Sequence, residues 1–238
     1  MVPLRRRLRR ALRDRGWELR RLPTEPEVPN ADRWLRALDI ATVLDIGANV
    51  GQFAAEAREL FPAANIISFE PLADCYEQLV AAGARLGRFR AHHLAIGATA
   101  GQATMHRSDF SQSSSLRPMG ALHRDAFPFT AGSAPETVEV ARLDDLDLEL
   151  ADPLLVKIDV QGFEDQVLAG GPRTVARAAV VLVETSYVPL YEGGPLFADI
   201  AASMDVMGFR YSGARGVLTD PRDGRPLQEN SIFLPDPR

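Results

Sequence analysis

The sequence predicts an α/β fold built on a mostly parallel sheet of about seven strands with helices on both faces. Three stretches carry that expectation. Val43-Leu44-Asp45-Ile46-Gly47-Ala48-Asn49-Val50-Gly51-Gln52-Phe53 passes from an apolar run through an acid and a tight turn directly into helical spacing, the pattern of a strand, a turn and a helix N-terminus. Asn65-Ile66-Ile67-Ser68-Phe69-Glu70-Pro71 is a second short apolar run ending in an acid, with Glu70 25 residues after Asp45. That distance holds one crossover helix, over Gln52–Leu60, and a parallel strand. Leu154-Leu155-Val156-Lys157-Ile158-Asp159-Val160-Gln161-Gly162-Phe163-Glu164 repeats the theme, a strand apolar enough for burial on both faces that runs into an acid and a turn.

The first turn is a ligand site in this reading. Gly47 supplies a residue tolerant of positive φ, and Gly51 lets the helix start pack closely or a ligand approach the main chain. A dinucleotide fingerprint needs a third glycine where Asn49 stands, and Asp45 beside the turn repels phosphate. An ammonium or sulfonium centre suits it better, and D-x-G-x-N-x-G resembles motif I of S-adenosylmethionine-dependent methyltransferases. Glu70, at the end of the second strand, is placed to accept both hydroxyls of a ribose; the alternative is a surface acid on a strand-to-helix loop.

Composition bounds the rest. The chain has 238 residues, 46% of them hydrophobic, enough for one large α/β domain, and contains no run of about 18 apolar residues to span a membrane. A single cysteine, Cys75, excludes an intrachain disulfide framework and a cysteine-rich zinc site. The start lacks the apolar core of a signal peptide, so a cytoplasmic location is expected.

Charge is unevenly placed. Residues 1–21 hold nine arginines against Asp14 and Glu18, a balance of +7, which with the total of −5 leaves −12 on the remainder. Leu4, Leu8, Ala11 and Leu12 fall at helical spacing among the arginines. A basic amphipathic helix lying peripherally on an anionic inner membrane surface is one reading. The other is a solvated arm or a helix packed on a partner subunit of a homo-oligomer. Nucleic acid is not the expected partner, because no basic stripe continues into the acidic body. The chain therefore divides into a basic arm and proline-bearing linker over 1–29 and a folded domain over 30–238.

Within that domain Ala31–Leu38 reads as a short helix capped by Asn30, and Thr42–Ile46 as the first strand. Ala73–Leu86 is a second crossover helix, and Arg90–Ile96 a third strand whose end, Ala95-Ile96-Gly97, would face an adenine; the alternative is a plain buried strand end. Gly101–Ser108 is an extra strand. Asp109–Pro135, rich in Ser, Gly and Pro, reads as a long lid or mobile loop over the substrate. Ser111, Ser113, Ser114 and Ser115 in it offer hydroxyls, with a merely solvated serine cluster as the alternative. His106 and His123 lie in or beside it, as active-site groups or surface histidines. Thr137–Ala141 is a short strand. Asp144-Asp145 after it has the hard oxygens a divalent cation takes, but adjacent acids point apart, so a cap and turn is the expected role. Ala179–Val183, Phe209–Ser212 and Ser231–Leu234 are the remaining strands, with a helix over Leu196–Met207 and, before it, a loop over Tyr187–Pro195 that shapes the acceptor pocket.

D-x-G-x-N-x-G, F-E-P, the A-I-G strand end, S-S-L at Ser114–Leu116, K-I-D-V-Q-G-F-E and V-E-T at Val183–Thr185 occur in an order that resembles the FkbM family of S-adenosylmethionine-dependent methyltransferases. The resemblance covers about Thr42 to Leu234, and K-I-D-V-Q-G-F-E is its most specific part. It implies a Rossmann-like class I methyltransferase fold with an antiparallel last strand inserted beside the sixth. It also implies O-methylation of a sugar, glycolipid or polyketide-type hydroxyl. On this resemblance Asp45, Gly47, Asn49 and Gly51, with Ala48 and Phe53 beside them, line the methionine part of S-adenosylmethionine. Glu70 holds the ribose and Asp159 floors the sulfonium; Pro71, the strand-end Ala95 and Ile96 that would face the base, and Ser114 are further cofactor-binding candidates read from their positions.

The sulfonium already activates the methyl group, so the protein must hold an acceptor oxygen in line and exclude water. A base that takes the hydroxyl proton adds about a hundredfold or more. Asp159 and Glu184, which close apolar runs expected on adjacent strands, are the candidates, with His92 or His93 behind them. Lys157, the only lysine, shares a strand face with Asp159 and needs a partner if buried. Glu184 or another carboxylate is the expected partner in a structural ion pair; the sharper reading has Lys157 orient the acceptor. Two other functions fit the pattern less well, a non-catalytic binder of the same fold and a nicotinamide-dependent oxidoreductase.

Overall fold

A computed structural model of the chain describes residues 32–237. The basic segment 1–21, the linker 23–29 and the Asn30 cap lie outside the described residues. The chain divides into two compact units, Met1–Trp34 and Leu35–Arg238, and the site lies in the second. Of the helix expected over Ala31–Leu38, one turn is observed, Arg33–Arg36.

The central strand is β1 (Thr42–Ile46), buried at every position. Parallel strands covered on both faces leave no solvent side, which is why its Val43, Leu44 and Ile46 do not alternate with exposed polar residues. On one side lie β2 (Asn65–Phe69) and β3 (Phe89–His92); on the other lie β7 (Leu154–Ile158) and β8 (Ala178–Ser186), all parallel. Two strands from the end of the chain complete the sheet, β9 (Phe209–Thr219) and β10 (Pro226–Pro235). The order is β3-β2-β1-β7-β8-β10-β9, with β10 antiparallel to both neighbours. The antiparallel last strand inserted beside the sixth is what the resemblance implied. The core forms around Leu44, Ile46, Val156, Ile158, Val181 and Val183, with Val167, Leu168 and Phe233 packed on them.

Crossover helices α1 (Gln52–Leu60) and α2 (Ala73–Gly83) follow β1 and β2. Gly47, in the turn before α1, has φ +80, and a Cβ there would stand 1.9 Å from the carbonyl oxygen of Asp159. The ends of β1 and β7 approach so closely at this point that only a glycine fits.

Three expectations need correction. The strand expected over Arg90–Ile96 is two strands in different sheets. After His92 the chain leaves the main sheet, and β4 (Ala95–Ile96) joins a three-stranded sheet with β6 (Ser133–Ala141) and β5 (Gly101–Ser108), in the order β4-β6-β5. The halves differ in setting: β3 is only partly buried at the sheet edge, with Phe69 stacking on His92, whereas Ala95 is buried with Leu72, Met105 and Val140. The expected lid over Asp109–Pro135 is a compact element instead. It contains a 3-10 turn at Ser111–Ser113 and helix α3 (Ala121–Ala126). Its Met119, Leu122, Ala126 and Phe127 bury against Leu190, Tyr191 and Leu227, a helical spacing masked by the surrounding Ser, Gly and Pro. Finally, β9 and β10 form a longer hairpin than the pattern suggested, because β9 is exposed along most of its length and its register shifts break the alternation.

Gly47→Ala is expected to lower the unfolding free energy by more than the about 1–2 kcal/mol of a left-handed Cβ alone, since the clash is with backbone. Urea denaturation gives the value, and an unchanged midpoint would count against the close approach of β1 and β7.

Candidate active site

Register decides what meets at the carboxyl ends of the central strands. Asp45 lies opposite Lys157 across β1 and β7, and opposite Ser68 across β1 and β2. The side chains follow the backbone. The Lys157 ammonium is 3.4 Å from Asp45 Oδ1, and the Ser68 hydroxyl donates to Asp45 Oδ2 at 3.4 Å. Lys157 Nζ also lies 3.4 Å from Asp159 Oδ2, donates to the Gly47 carbonyl at 3.1 Å and stands 5.7 Å from the centre of the Phe53 ring. Burial works against the ammonium, but Asp159, Asp45 and Glu184 outweigh it and hold its pKa above the ordinary lysine value.

The ion pair expected for Lys157 thus exists, with Asp45 and Asp159 as partners rather than Glu184. Lys157 is level with Leu182 of β8, and the register ends at Ile158 beside Val183. Asp159 and Glu184 both come one residue later and share a height. Between them lies Gln161, whose Nε2 donates to Asp159 Oδ1 at 2.8 Å and to Glu184 Oε2 at 2.6 Å. Gln228 Nε2 from β10 adds 3.1 Å to the same Glu184 oxygen. Burial, then the charges of Asp159 and Glu164, push the Glu184 carboxyl well above the usual carboxylate range against the pull of Lys157. Asp159 keeps 28% of its side chain exposed.

The second half of the site is the turn after β1. The amides of Gly47 and Ala48 donate to the Phe69 carbonyl at 3.1 and 3.0 Å, which anchors the turn to β2. The Asn49 amide donates to Glu70 Oε2 and the Leu72 amide to Glu70 Oε1, both at 2.8 Å. Glu70, only 4% exposed, is a clip between two loops as well as a ribose candidate. Burial lifts its carboxyl to about 7 although both amides favour the ion. Asn49 has φ 48, and its Nδ2 donates to Ser111 Oγ at 3.1 Å.

The other expected residues fall as follows. Asp45 is 0% exposed and meets Lys157 and Ser68. Gly51, φ 95, caps α1. Pro71 is half-buried, and its carbonyl accepts from His93 Nε2 at 2.9 Å. Ala95 and Ile96 are both buried side chains of the core. Ser114 braces its own loop, accepting from the Ser108 amide at 3.0 Å. Its neighbours reach further, Ser111 to Asn49 and Ser115 to the Gln161 carbonyl at 2.6 Å. His123 is buried edge-on to Tyr191, and burial lowers its pKa to about 4. Asp144 caps the turn Pro172–Val175, accepting from the Arg173 and Thr174 amides at 2.9 and 2.8 Å. Among the described residues no group of three or more His, Cys, Asp or Glu could hold a metal ion, and no helix is long and apolar enough to cross a membrane.

Sequence reasoning missed Tyr191 and Gln228 and gave Gln161 no role of its own. Gln161 stands inside the K-I-D-V-Q-G-F-E run, so the signal was a polar side chain at the turn between two acids. The Tyr191 hydroxyl lies 2.7 Å from Gln161 Oε1; no spacing in the chain announces that contact.

Residues 45–211 match the profile of the methyltransferase FkbM domain. The chain belongs to the FkbM methyltransferase family. The matched span of this FkbM domain takes in every candidate residue from Asp45 to Tyr191 and stops before Gln228. The chain is similar to the 2-O-methyltransferase NoeI of Sinorhizobium fredii (strain NBRC 101917 / NGR234), 33% identical over 166 residues, which cover 63% of this chain and 65% of that protein. It thus spans less than two thirds of that curated relative. The crystal structure of methyltransferase FkbM from Methylobacillus flagellatus KT shares the fold at 14% identity and a TM-score of 0.51, over 82% of this chain and 44% of that one.

Two outcomes follow for this FkbM domain. Lys157→Met strands the Asp45 carboxylate in the core and is expected to cost about 3–5 kcal/mol; adding Asp45→Asn restores much of it, and a double variant no more stable than the single one would sink the pairing. Glu164, which accepts from the Val160 and Gly162 amides at 3.2 and 3.0 Å, is lifted by burial from an ordinary 4.5 to about 7. A carboxyl raised on folding contributes its full stability below about 4.5 and loses it as pH rises through about 7. Relative to Glu164→Gln, the wild type should therefore lose stability over that window, by about 3 kcal/mol in order of magnitude. Denaturation curves from pH 4.5 to 8 measure the difference, and a gain with rising pH would refute it.

Proposed function

We propose that the chain is an S-adenosylmethionine-dependent O-methyltransferase acting on a hydroxyl of a sugar, glycolipid or polyketide-type acceptor. The observation that carries this reading is the meeting of Asp159 and Glu184 at the ends of adjacent strands, beside the turn that Glu70 holds. The printed activity of the similar NoeI, 2-O-methyl transfer, supports oxygen as the methyl acceptor.

The donor set fits the cofactor. Asp159, Glu184 and Glu70 bring carboxyl oxygens to one end of the sheet against the Lys157 ammonium, a balance suited to a cationic ligand with vicinal hydroxyls. Each oxygen of Glu70 receives one amide and keeps a lone pair for a ribose hydroxyl. When bound, S-adenosylmethionine supplies a methyl group already activated by its sulfonium. The chain's own work is orientation and proton removal. Asp159, 28% exposed at its side chain, takes the acceptor hydroxyl's proton in this reading, and Glu184 tunes it. Lys157 holds Asp159 in place and keeps the Gly47 carbonyl turned inward. Within the same proposal, residues 1–29 are an arm and linker ahead of a domain over 30–238, and the arm's arginines suit anionic lipid headgroups at a cytoplasmic membrane face.

The test is calorimetric titration with S-adenosylhomocysteine beside NAD. Micromolar binding of the first alone, weakened at least about tenfold by Glu70→Ala (about 1.4 kcal/mol), is expected. Binding of NAD instead would overturn the methyltransferase reading, and an unchanged affinity in Glu70→Ala would remove the ribose assignment.

A further inference from the structure

Gln161 is held in a backbone conformation that a glutamine rarely adopts. Its φ is 58, and Gly162 follows at φ 89. Two adjacent left-handed residues cost about 1 kcal/mol or more for the non-glycine member, and the surroundings impose the conformation from three directions. Glu164 Oε1 takes the amides on either side of Gln161. The Ser115 hydroxyl donates to the Gln161 carbonyl at 2.6 Å. Tyr191 sits directly over Gly162, where a Cβ would come within 2.7 Å of the Tyr191 Cβ.

The result of that backbone is the side chain's position. The Gln161 amide nitrogen has two hydrogens, and each has one carboxyl oxygen in front of it, Asp159 Oδ1 and Glu184 Oε2. The amide oxygen faces the Tyr191 hydroxyl at 2.7 Å. Flipping the amide would point its oxygen at two carboxyl oxygens, which is tolerable only if both carry protons. Tyr191 sets the cost of that flip. Its single proton goes either to Gln161 Oε1 or to the Ser113 carbonyl at 3.1 Å, and donating to Gln161 fixes the nitrogen toward the acids.

We propose that Gln161 is the positioning residue of the site: its amide, locked by Tyr191, bridges Asp159 and Glu184 and keeps the pair able to accept a proton. The assignment of Asp159 as base rests on the methyltransferase reading above; the bridge itself does not. A donor shared between two carboxylates favours their ionised forms and lowers the pH at which the pair takes up its first proton. Other charged or titratable groups facing the pair are Lys157 from β7 with Asp45 behind it, Glu164 at the next helix start, and Tyr191. Lys157 acts in the same sense as Gln161, and Glu164 against it.

The test uses the full chain and two readouts. Carboxyl carbon NMR titration, assigned with Asp159→Asn and Glu184→Gln, follows the pair without any acceptor. Gln161→Leu keeps the bulk, removes both donors, and is expected to move the first protonation of the pair up by about one pH unit. Tyr191→Phe, which leaves Gln161 in place, is expected to move it the same way by less. With an acceptor that turns over, the acid limb of kcat/KM moves up in parallel. Activity then falls about tenfold at pH 6 and recovers by pH 8.5, whereas a residue needed only for packing lowers the whole profile evenly. An unmoved titration in both variants overturns the proposal, as does an even loss of activity. If Gln161→Leu does not fold, Tyr191→Phe decides alone, an unmoved titration overturning the bridge. A shifted titration without turnover on any hydroxylated acceptor keeps the bridge and removes the O-methyltransferase reading.

Discussion

One lysine holds the working end of this sheet together. The register of β1 against β7 sets Asp45 beside Lys157 in the core, and neither could be buried there without the other. From that pair the Lys157 ammonium extends to the Gly47 carbonyl and to Asp159, so it touches the ends of both strands. The turn it steadies is the one whose amides reach Phe69 and Glu70. Position passes from a buried charge to a turn, and from the turn to a carboxylate, through contacts each under 3.5 Å. A change at Asp45 would thus be felt at the turn and at Asp159 through Lys157.

The loop over residues 109–135 contributes in a different way. It packs its own apolar cluster against Leu190 and Tyr191 and sends Ser111 to Asn49 and Ser115 to Gln161. Each half of the site therefore has a hydroxyl from the same compact element. That element ties the two motif turns together without belonging to either, and its apolar packing is what places the serines.

Much of this was legible in the sequence because local rules and tertiary packing agree there. β1, β2 and β7 are short, mostly apolar runs with Asp45, Glu70 and Asp159 at or just beyond their ends, the pattern that strands buried on both faces leave. The order of the last two strands came only from the family resemblance, since hydrophobic pattern carries no pairing information. Register was not legible either, so the partner of Lys157 was left as Glu184 or another carboxylate, and only the pairing of β1 with β7 picks out Asp45. The split of the expected Arg90–Ile96 strand was hidden because the two strands, a partly buried one and a buried one in different sheets, follow each other with only His93 and Leu94 between them. The loop helix was hidden by Ser, Gly and Pro around a helical spacing of Met119, Leu122 and Ala126. Among the four serines the chain gives no sign that Ser114 turns back to its own loop while Ser111 and Ser115 reach outward. Contacts between residues 30 or more apart, such as Gln161 with Tyr191, are set by how loops pack, and no local pattern encodes them.

Insertion of β10 between β8 and β9 separates order along the chain from order in space. During synthesis β8 emerges long before its neighbour on that side, and its edge of Val181, Val183 and Thr185 stays unpaired until β10 arrives. An interrupted chain is therefore left with an apolar strand edge able to pair with another copy. The same chain lacks Gln228, one of the two amides that donate to Glu184. Incomplete molecules are thus marked twice, as sticky and as chemically unfinished, and one late strand removes both marks together.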